Sequence, residues 1–310
     1  MKKKVILILL DACRGDYITQ DNTPFLHNLA KHGRYYKFLI PSFGFCERTE
    51  ILVGQDGLES GCFTAFGYSP EASPYKRFRH FLKFFGTIEE CVGSAFFSKA
   101  IRRALWEIFR YMDGAFYPAR IPLGQLANFC LTEDGALNQI ENDNRSIYSR
   151  CESVFLGATT SLSEYLSGTD QSRLDGVLKA LDEPYDFYPT YISEIDGVGH
   201  VYGPHSVEMR EALGRVDRQI KGFYETQAVI DNSATLVICG DHGMSPVVHQ
   251  VNIEAIVMGL METKTISKKV SMFLDSTMAR FWSSEDNDDL EELKIAVDTT
   301  FSEFGYFVAR

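Results

Sequence analysis

At 310 residues and 35.1 kDa, the chain is long enough for one large α/β domain or for a core with a cap. The proportions of hydrophobic and charged residues, 45% and 24%, are those of an ordinary globular protein. The net charge of −11 excludes a general binder of duplex nucleic acid, which needs a positive field. It does not exclude a small phosphorylated substrate, because a metal site attracts phosphate locally.

The seven cysteines lie singly along the chain, with no CxxC pair. This scattered, odd set predicts reduced thiols in an intracellular protein rather than a disulfide framework. The opening MKKKVILILL imitates a signal peptide, but its apolar run of six residues is too short for one. No stretch approaches the ~20 apolar residues that span a bilayer. We therefore expect a cytoplasmic protein with no membrane partner; the sequence does not set its oligomeric state.

The continuous apolar run Val5–Leu10 predicts a central parallel strand that is covered on both faces. The other predicted elements are, in chain order, a helix after Pro24 that ends at Gly33, a strand over 36–40, a helix over 47–53 closed by Gly54, a strand over 187–192, a helix over 207–225 and a strand over 235–239. Alternating strands and helices predict the α/β class, with a mainly parallel central sheet flanked by helices.

Residues 60–175 are rich in Phe, Tyr and Arg and show helical stretches without a strand rhythm. We interpret them as a helical insertion within a single domain over 1–310. Aromatic stripes at helical spacing favour core packing over substrate contact, although both interpretations stay open. Residues 262–310 predict the start of a small α+β subdomain, which looks truncated.

Three segments share one design, in which a buried strand leads directly into acidic or histidine residues. They are VILILLDACRGDY with Asp11, YISEIDGVGHVYGPHS with Asp196 and His200, and TLVICGDHGMSP with Asp241 and His242. Carboxylate oxygen and neutral imidazole nitrogen are ligands for zinc and for hard divalent metals. Catalytic groups of parallel sheets lie beyond the carboxyl ends of the strands. We predict a metal site there, on loops whose glycines let the backbone turn around an ion.

These residues carry a family resemblance. LLDACRGDY resembles the Asp-x-x-Arg-x-acidic-Tyr opening of the type I phosphodiesterase/nucleotide pyrophosphatase branch of the alkaline phosphatase superfamily, and EIDGVGHVYGP is similar to its Asp-x-x-Gly-His-x-Tyr-Gly-Pro segment. The resemblance covers residues 5–55 and 187–255. It implies an alkaline phosphatase-like fold with two divalent ions, zinc or alternatively manganese.

The resemblance also implies a division of the metal ligands. One ion would be held by Asp11, Asp241 and His242, and the other by Asp196, His200 and a further histidine. Relatives supply that last histidine nearer the C-terminus, whereas here no histidine follows His249. Either His249 completes the site, or the ligand lies beyond this chain. A metal pair of this kind suits in-line displacement at phosphorus.

The family nucleophile, a Thr or Ser at a helix N-terminus, should lie in IPSFGFCERTEILVG. An alignment on Gly54 puts Gly44 at that position, which cannot attack. Cys46 is the first candidate, Ser42 the second and Thr49 the third, and hydroxide held by the metal is a further alternative. Arg48 is a candidate contact to substrate phosphate.

The resulting hypothesis is a metal-dependent hydrolase of phosphodiester or pyrophosphate bonds in a nucleotide-like or other small phosphoester. One alternative is a sulfatase or phosphonate-ester hydrolase on the same fold. The sequence around Cys46 does not fit the Cys-x-Pro/Ala-x-Arg spacing at which sulfatases form formylglycine. Another alternative is a non-catalytic metal-binding relative that lacks its nucleophile.

Overall fold

The computed structural model describes residues 4–39, 50–52, 54–56, 59, 66–112, 114–117, 121–131, 147, 150–151, 154–155, 168–248, 252, 255, 257–259, 270–275, 278–283 and 288–301. Among them the strands are β1 (Val5–Leu10), β2 (Phe66–Tyr68), β3 (Phe129–Leu131), β4 (Phe187–Ile192), β5 (Thr235–Gly240), β6 (Val270–Asp275) and β7 (Met278–Ser283). The α-helices are α1 (Pro24–His32), α2 (Arg79–Val92), α3 (Ala95–Phe109), α4 (Asp170–Ala180), α5 (Glu194–Tyr202), α6 (Val207–Ile230) and α7 (Asp288–Phe301). They fall in two compact units, Met1–Phe63 with Glu133–Val248, and Thr64–Thr132 with His249–Arg310.

A three-stranded parallel sheet, in the order β4-β1-β5, forms the centre of the first unit within the described residues. Val5 of the middle strand pairs with Phe187 on one side and with Thr235 on the other. Residues 6–10 are all buried, as a strand covered on both faces requires. The three strands predicted from the apolar runs and the α/β fold class are therefore confirmed.

Helices cover the sheet because alternate side chains of β1 enter two different clusters. Ile6, Ile8 and Leu10 pack on one face with buried residues of α4, α5 and α6. Leu7 and Leu9 pack on the other face, in a cluster that includes Leu52. This alternation gives each face of the sheet its own apolar layer.

Helix α1 begins at Pro24, where a missing N–H costs nothing, and ends before Gly33, as predicted. Its first turn is capped from a distance by Asp217, whose carboxylate accepts hydrogen bonds from the backbone N–H of Phe25 (3.0 Å) and Leu26 (2.9 Å). Asp217 is only 2% exposed and lies on α6. This contact ties the two helices together and fixes the start of α1.

The strand predicted over 36–40 is wrong for the residues that the structure describes. Residues 36–39 are not in a strand, and the side chains of Tyr36 and Phe38 are 74% and 78% exposed. Both hydrogen-bonding sides of β1 are already taken by β4 and β5. The aromatic pattern of this segment therefore reflects an exposed connection rather than a buried strand.

The second unit has a core of its own, around α2, α3 and the short antiparallel pair β2–β3. Tyr75, Leu82 and Phe109 are buried in this core, and Trp282 of β7 packs edge-on against Phe129 at 4.9 Å between ring centroids. Strands of three residues are too short to produce a sequence rhythm, which explains why β2 and β3 were not predicted. Part of the aromatic content is thus core, as expected.

The domain boundaries predicted from the sequence stay predictions. Helix α4 begins inside the predicted insertion over 60–175 but belongs to the first unit. The hairpin β6–β7 and helix α7 lie within the predicted subdomain over 262–310. In the part of the chain that the structure describes, no helix is both long and apolar enough to cross a bilayer.

Candidate metal centre

The predicted site segments meet because the strands before them end in register. Leu10, the last residue of β1, pairs with Ile192 at the end of β4 and with Gly240 at the end of β5. The next residues, Asp11, Ser193 and Asp241, therefore leave the sheet side by side. The backbone N–H of Asp11 continues the ladder with a hydrogen bond to the carbonyl of Ile192 at 2.9 Å. The carboxyl edge of the sheet thus carries the candidate residues, as expected for parallel strands.

Three of the predicted ligands form one group. A carboxylate oxygen of Asp11, a carboxylate oxygen of Asp196 and a ring nitrogen of His242 all lie within 4.8 Å of one another. The shortest of these contacts joins Oδ1 of Asp11 to Nε2 of His242 at 2.9 Å. Asp11 is buried, whereas the side chain of His242 is 31% exposed. The group therefore combines a buried carboxylate with a histidine side chain that solvent reaches.

Asp196 and His200 lie on helix α5, not on the glycine loop that the sequence analysis expected. The helical spacing puts them on one face, with Nε2 of His200 3.3 Å from Oδ1 of Asp196. Gly199 serves close packing rather than a turn, since a Cβ there would come within 2.7 Å of the sulfur of Met244. The side chain of His200 is 65% exposed and lies outside the three-donor group found among the described residues.

Asp241 organises the backbone of the site. Its Oδ1 accepts hydrogen bonds from the backbone N–H of Ala12 at 3.2 Å and of His242 at 2.8 Å. The same oxygen is 4.0 Å from Nε2 of His242. Ala12 has a φ of 56°, a left-handed conformation that residues with a side chain rarely adopt. Strain of this kind persists where surrounding contacts hold it, and here Asp241 is one of them.

The electrostatics of the group suit a cation. Burial, and then the negative charge of Asp11, raise the pKa of Asp241 to about 6. Burial alone would lower the pKa of His242, but the hydrogen bond to Asp11 and the charges of Asp241 and Asp11 raise it to about 10. The same field that stabilises an imidazolium would stabilise a divalent ion. Two carboxylates and an imidazole are also a donor set for zinc or manganese, so the residues fit a metal.

Two residues of the LLDACRGDY motif hold the site segments together. Arg14 donates from Nη1 to the carbonyl of Met244 at 2.6 Å and forms a bidentate pair with Asp16, with both distances 2.8 Å. Tyr17 donates to the carbonyl of Pro204 at 2.9 Å. The segment after β1 is therefore joined to the segment after β5 and to the end of α5. The sequence analysis quoted both residues as part of the motif without assigning them this role.

Sequence reasoning missed Tyr191, whose hydroxyl donates to Oδ2 of Asp11. It lies in β4, where all six residues are buried. A tyrosine hydroxyl in a buried strand needs a hydrogen-bond partner, and this requirement is the signal that could have indicated Tyr191 from the sequence. This hydrogen bond orients the Asp11 carboxylate, as residues that contact metal ligands commonly do.

A buried ion pair contacts the N-terminus of helix α5. Asp170 accepts hydrogen bonds from the backbone N–H of Ser193 and of Glu194, both at 3.0 Å, and pairs with Arg173. Arg173 in turn donates from Nε to the carbonyl of Tyr191 at 2.8 Å. Asp170 thus caps the helix that carries Asp196, although it lies on a different helix. Nothing in the local sequence of α4 signals this distant role.

Five of the predicted site residues lie outside the described residues, namely Ser42, Cys46, Arg48, Thr49 and His249. Their roles, and the division of six ligands between two ions, stay predictions. Among the described residues the three-donor group combines Asp11 and His242 with Asp196, which the resemblance assigned to the other ion.

Comparison with known protein families matches the type I phosphodiesterase/nucleotide pyrophosphatase family over residues 5–45 and 134–298. The match includes the three segments that lead into the site. The chain belongs to this family. The resemblance inferred from the sequence motifs is confirmed, and the matched residues include Asp11, Asp196 and His242 at the edge of the sheet.

Individual proteins are similar to parts of the chain. A venom phosphodiesterase of Crotalus durissus collilineatus is 39% identical over 83 residues, which cover 25% of this chain and 10% of the venom protein. An uncharacterized pyrophosphatase/phosphodiesterase of Schizosaccharomyces pombe is 25% identical over 259 residues, or 78% of this chain and 45% of the yeast protein. The catalytic subunit of human GPI ethanolamine phosphate transferase 3 is 26% identical over 38% of this chain and 12% of its own length. The chain spans less than half the length of each.

The fold also matches a solved structure. An inactive variant of murine ectonucleotide pyrophosphatase/phosphodiesterase 5, in complex with AMP, superposes with a TM-score of 0.59 over 96% of this chain and 70% of the murine chain. The sequence identity of the pair is 15%. The likeness supports the alkaline phosphatase-like fold of the family.

Proposed function

We propose that the chain is a metal-dependent hydrolase that cleaves a phosphodiester or pyrophosphate bond in a small, nucleotide-like phosphoester. The observation that carries the proposal is the group of Asp11, Asp196 and His242, three donors within 4.8 Å at the carboxyl edge of the sheet. Membership of the type I phosphodiesterase family supports the reaction class. The AMP complex of the murine relative supports a nucleotide-like substrate.

Different residues of the site have different roles in this proposal. Asp11, Asp196 and His242 would hold a divalent ion, and Asp241 and His200 would extend the set to a second one. Bound ions would supply Lewis acidity toward the phosphoryl oxygens. Tyr191 holds the Asp11 carboxylate, and Asp241 fixes the backbone at Ala12 and His242. The chain's own contribution is therefore a preorganised cluster of negative charge beside an opening to solvent.

Finer features of the proposal rest on the sequence alone. Zinc is the proposed ion and manganese the alternative, because carboxylate and imidazole donors accept both. Cys46 is the proposed nucleophile, with Ser42, Thr49 and hydroxide held by the metal as alternatives, and Arg48 would contact the phosphate. His249, or a histidine beyond this chain, would complete the second ion's ligands. A cytoplasmic location is part of the same proposal.

The test measures metal content and turnover on one preparation. The purified chain is dialysed against zinc or manganese, its metal content is measured by mass spectrometry, and hydrolysis of bis-p-nitrophenyl phosphate, p-nitrophenyl phosphate and p-nitrophenyl sulfate is compared. We expect bound metal, a preference for the diester, and a kcat at least ~100-fold lower in Asp196→Asn. Asp175→Asn, a partly exposed carboxylate on α4 that accepts a hydrogen bond from Gln171, is the matched control and should retain both properties.

Each contrary result points to a different alternative. A preference for the sulfate ester would favour a sulfatase on the same fold. Metal binding without turnover of any ester would favour a non-catalytic relative. Failure to bind metal, in a chain whose circular dichroism shows it to be folded, would remove the basis of the proposal.

A further inference from the structure

Helices α2 and α3 of the second unit expose large apolar side chains. We define the basic aromatic surface by Phe81, Phe84 and Val92 on α2 together with Phe96 and Ile108 on α3 and Tyr111 just after it. Phe84 is 63% exposed and Phe96 is 83% exposed. Phe81, Phe84 and Val92 recur at helical spacing along α2, and an exposed apolar patch commonly marks a site that contacts a protein or a membrane.

These side chains lie mainly on the sides of the two helices that face away from the buried core. The opposite sides of the two helices bury Leu82, Leu105 and Phe109 in the core of the second unit. Arg102 of α3 forms a largely buried pair with Glu89 of α2, with Nε 2.7 Å from Oε1, and this pair joins the helices. Phe81 and Phe84 have ring contacts with the partly buried Phe85, at 4.6 and 5.6 Å between centroids, and the six side chains of the surface keep 42–83% of their area exposed.

The same stretch is strongly basic. Residues 76–111 contain eight Lys and Arg against three Glu, a net charge of +5 in a chain whose total is −11. Lys76, Arg77, Lys83 and Lys99 are exposed and lie close in sequence to the aromatic residues. The guanidinium of Arg110 lies 4.7 Å from the centroid of the Tyr111 ring. The partner of this surface should thus be negatively charged as well as apolar.

We infer that the basic aromatic surface docks on an anionic membrane surface. Aromatic side chains enter the boundary between headgroups and acyl chains, while lysine and arginine contact anionic headgroups above it. A second copy of the chain would bring the same positive charge, and a nucleic-acid duplex offers no apolar layer. An anionic bilayer meets both requirements, and the acidic remainder of the chain would keep other faces away from it.

This inference revises one expectation from the sequence. A membrane partner was excluded there because no run is long enough to span a bilayer. A helix that lies on the surface needs no such run, only apolar and basic residues on an exposed side. The inference does not depend on the proposed catalytic function, because it concerns binding alone.

The test is sedimentation of the full chain with vesicles. We expect the chain to sediment with vesicles of phosphatidylcholine mixed with phosphatidylserine, to remain in solution with phosphatidylcholine alone, and to be released by salt. Lys83→Glu with Lys99→Glu should weaken binding at least ~10-fold, because each basic residue near an anionic surface contributes roughly fivefold. Phe84→Ser with Phe96→Ser should weaken it as well.

Matched controls separate this surface from general charge and hydrophobicity. Arg218→Glu with Lys221→Glu makes the same change of net charge on exposed positions of α6, and Val207→Ser with Val229→Ser removes exposed apolar groups from that helix. Both should bind like the unmodified chain. Equal binding to neutral and anionic vesicles, or equal weakening by the α6 variants, would overturn the inference. A further result would also overturn it. The unmodified chain would not bind vesicles, and sedimentation velocity would show that it forms a dimer which Phe84→Ser with Phe96→Ser disrupts.

Discussion

Arg14 donates from Nη1 to the carbonyl of Met244 at 2.6 Å, and this contact joins segments that are separated by most of the chain. Arg14 follows Asp11 by three residues, and Met244 follows His242 by two. The contact therefore sets the spacing between two of the three donors of the candidate metal group. Asp16 holds the guanidinium in place through two hydrogen bonds of 2.8 Å. This hydrogen bonding is the largest of the effects on the pKa of Arg14, and it raises that pKa.

Arg14→Ala is expected to lower the affinity for zinc by ~10-fold or more, the range found when residues that orient metal ligands are removed. The free energy of unfolding should fall by about 1–2 kcal/mol, since one charged hydrogen bond and a partly exposed pair are lost. Isothermal titration with zinc and chemical unfolding measure the two effects. Arg218→Ala, on the exposed side of α6, is the control. If both variants bind zinc alike, Arg14 does not position the site.

Asp170→Asn should destabilise the first unit by about 3 kcal/mol, because it leaves Arg173 buried without its charged partner. It also removes the charge that caps helix α5, so metal affinity should fall with stability. Urea unfolding followed by far-ultraviolet circular dichroism measures the loss. Asp175→Asn, at a partly exposed position of the same helix, should change stability by less than about 0.5 kcal/mol. Equal effects of the two substitutions would contradict the cap.

The two glycines of α5 should respond differently to alanine. A Cβ at Gly197 meets nothing within 4 Å, so Gly197→Ala should stabilise the helix by about 0.8 kcal/mol through propensity alone. A Cβ at Gly199 would come within 2.7 Å of the sulfur of Met244 and 3.2 Å of Cε of Met209. Gly199→Ala should therefore be less stable than Gly197→Ala by about 1 kcal/mol. Thermal unfolding of the pair tests this, and equal stability would show that Met244 moves aside freely.

The second unit should lose stability at high pH through Tyr75. Burial raises the pKa of its phenol to about 12, above the ordinary value of about 10 in an unfolded chain. Between these two values the unfolded chain ionises first, so stability present below pH ~10 is lost as the pH rises toward ~12.

Tyr75→Phe should flatten that pH dependence, at a cost near neutral pH of about 1–2 kcal/mol for its hydrogen bonds with the backbone of Phe116. The fluorescence of Trp106 and Trp282, both in the second unit, follows its unfolding. Tyr111→Phe, at a position that is 79% exposed, is the control. A dependence on pH that survives in Tyr75→Phe would assign it to another group.

The centre of the fold was predictable because its signals are local. A run such as Val5–Leu10 has no polar residue, so it is either a buried strand or part of a buried helix. The acidic residues and the glycine that follow it favour the strand. Parallel strands of this kind bring their carboxyl ends together, so the neighbourhood of Asp11 and Asp241 followed from topology. The position of Asp196 did not, because Gly197 and Gly199 suggested a loop.

What the sequence could not show are contacts made across long separations. Asp170 looks like an ordinary first-turn residue of α4, yet it caps α5 because the end of β4 lies beside it. The phenylalanines of α2 and α3 likewise share one composition but divide between core and surface. Phe109 is 1% exposed and Phe96 is 83% exposed, and only the packing of the unit separates them.

The order of strands in the central sheet has a consequence for how the protein is made. Strand β1 is synthesised before β4 and β5, yet it lies between them and pairs with both. Its apolar residues must wait for partners that leave the ribosome much later, and pairing at such separations is slow. Until then the emerging chain exposes a run with the features of an aggregation-prone segment. Chaperone binding to nascent chains that end between β1 and β4 should therefore be stronger than binding to chains that extend past β5.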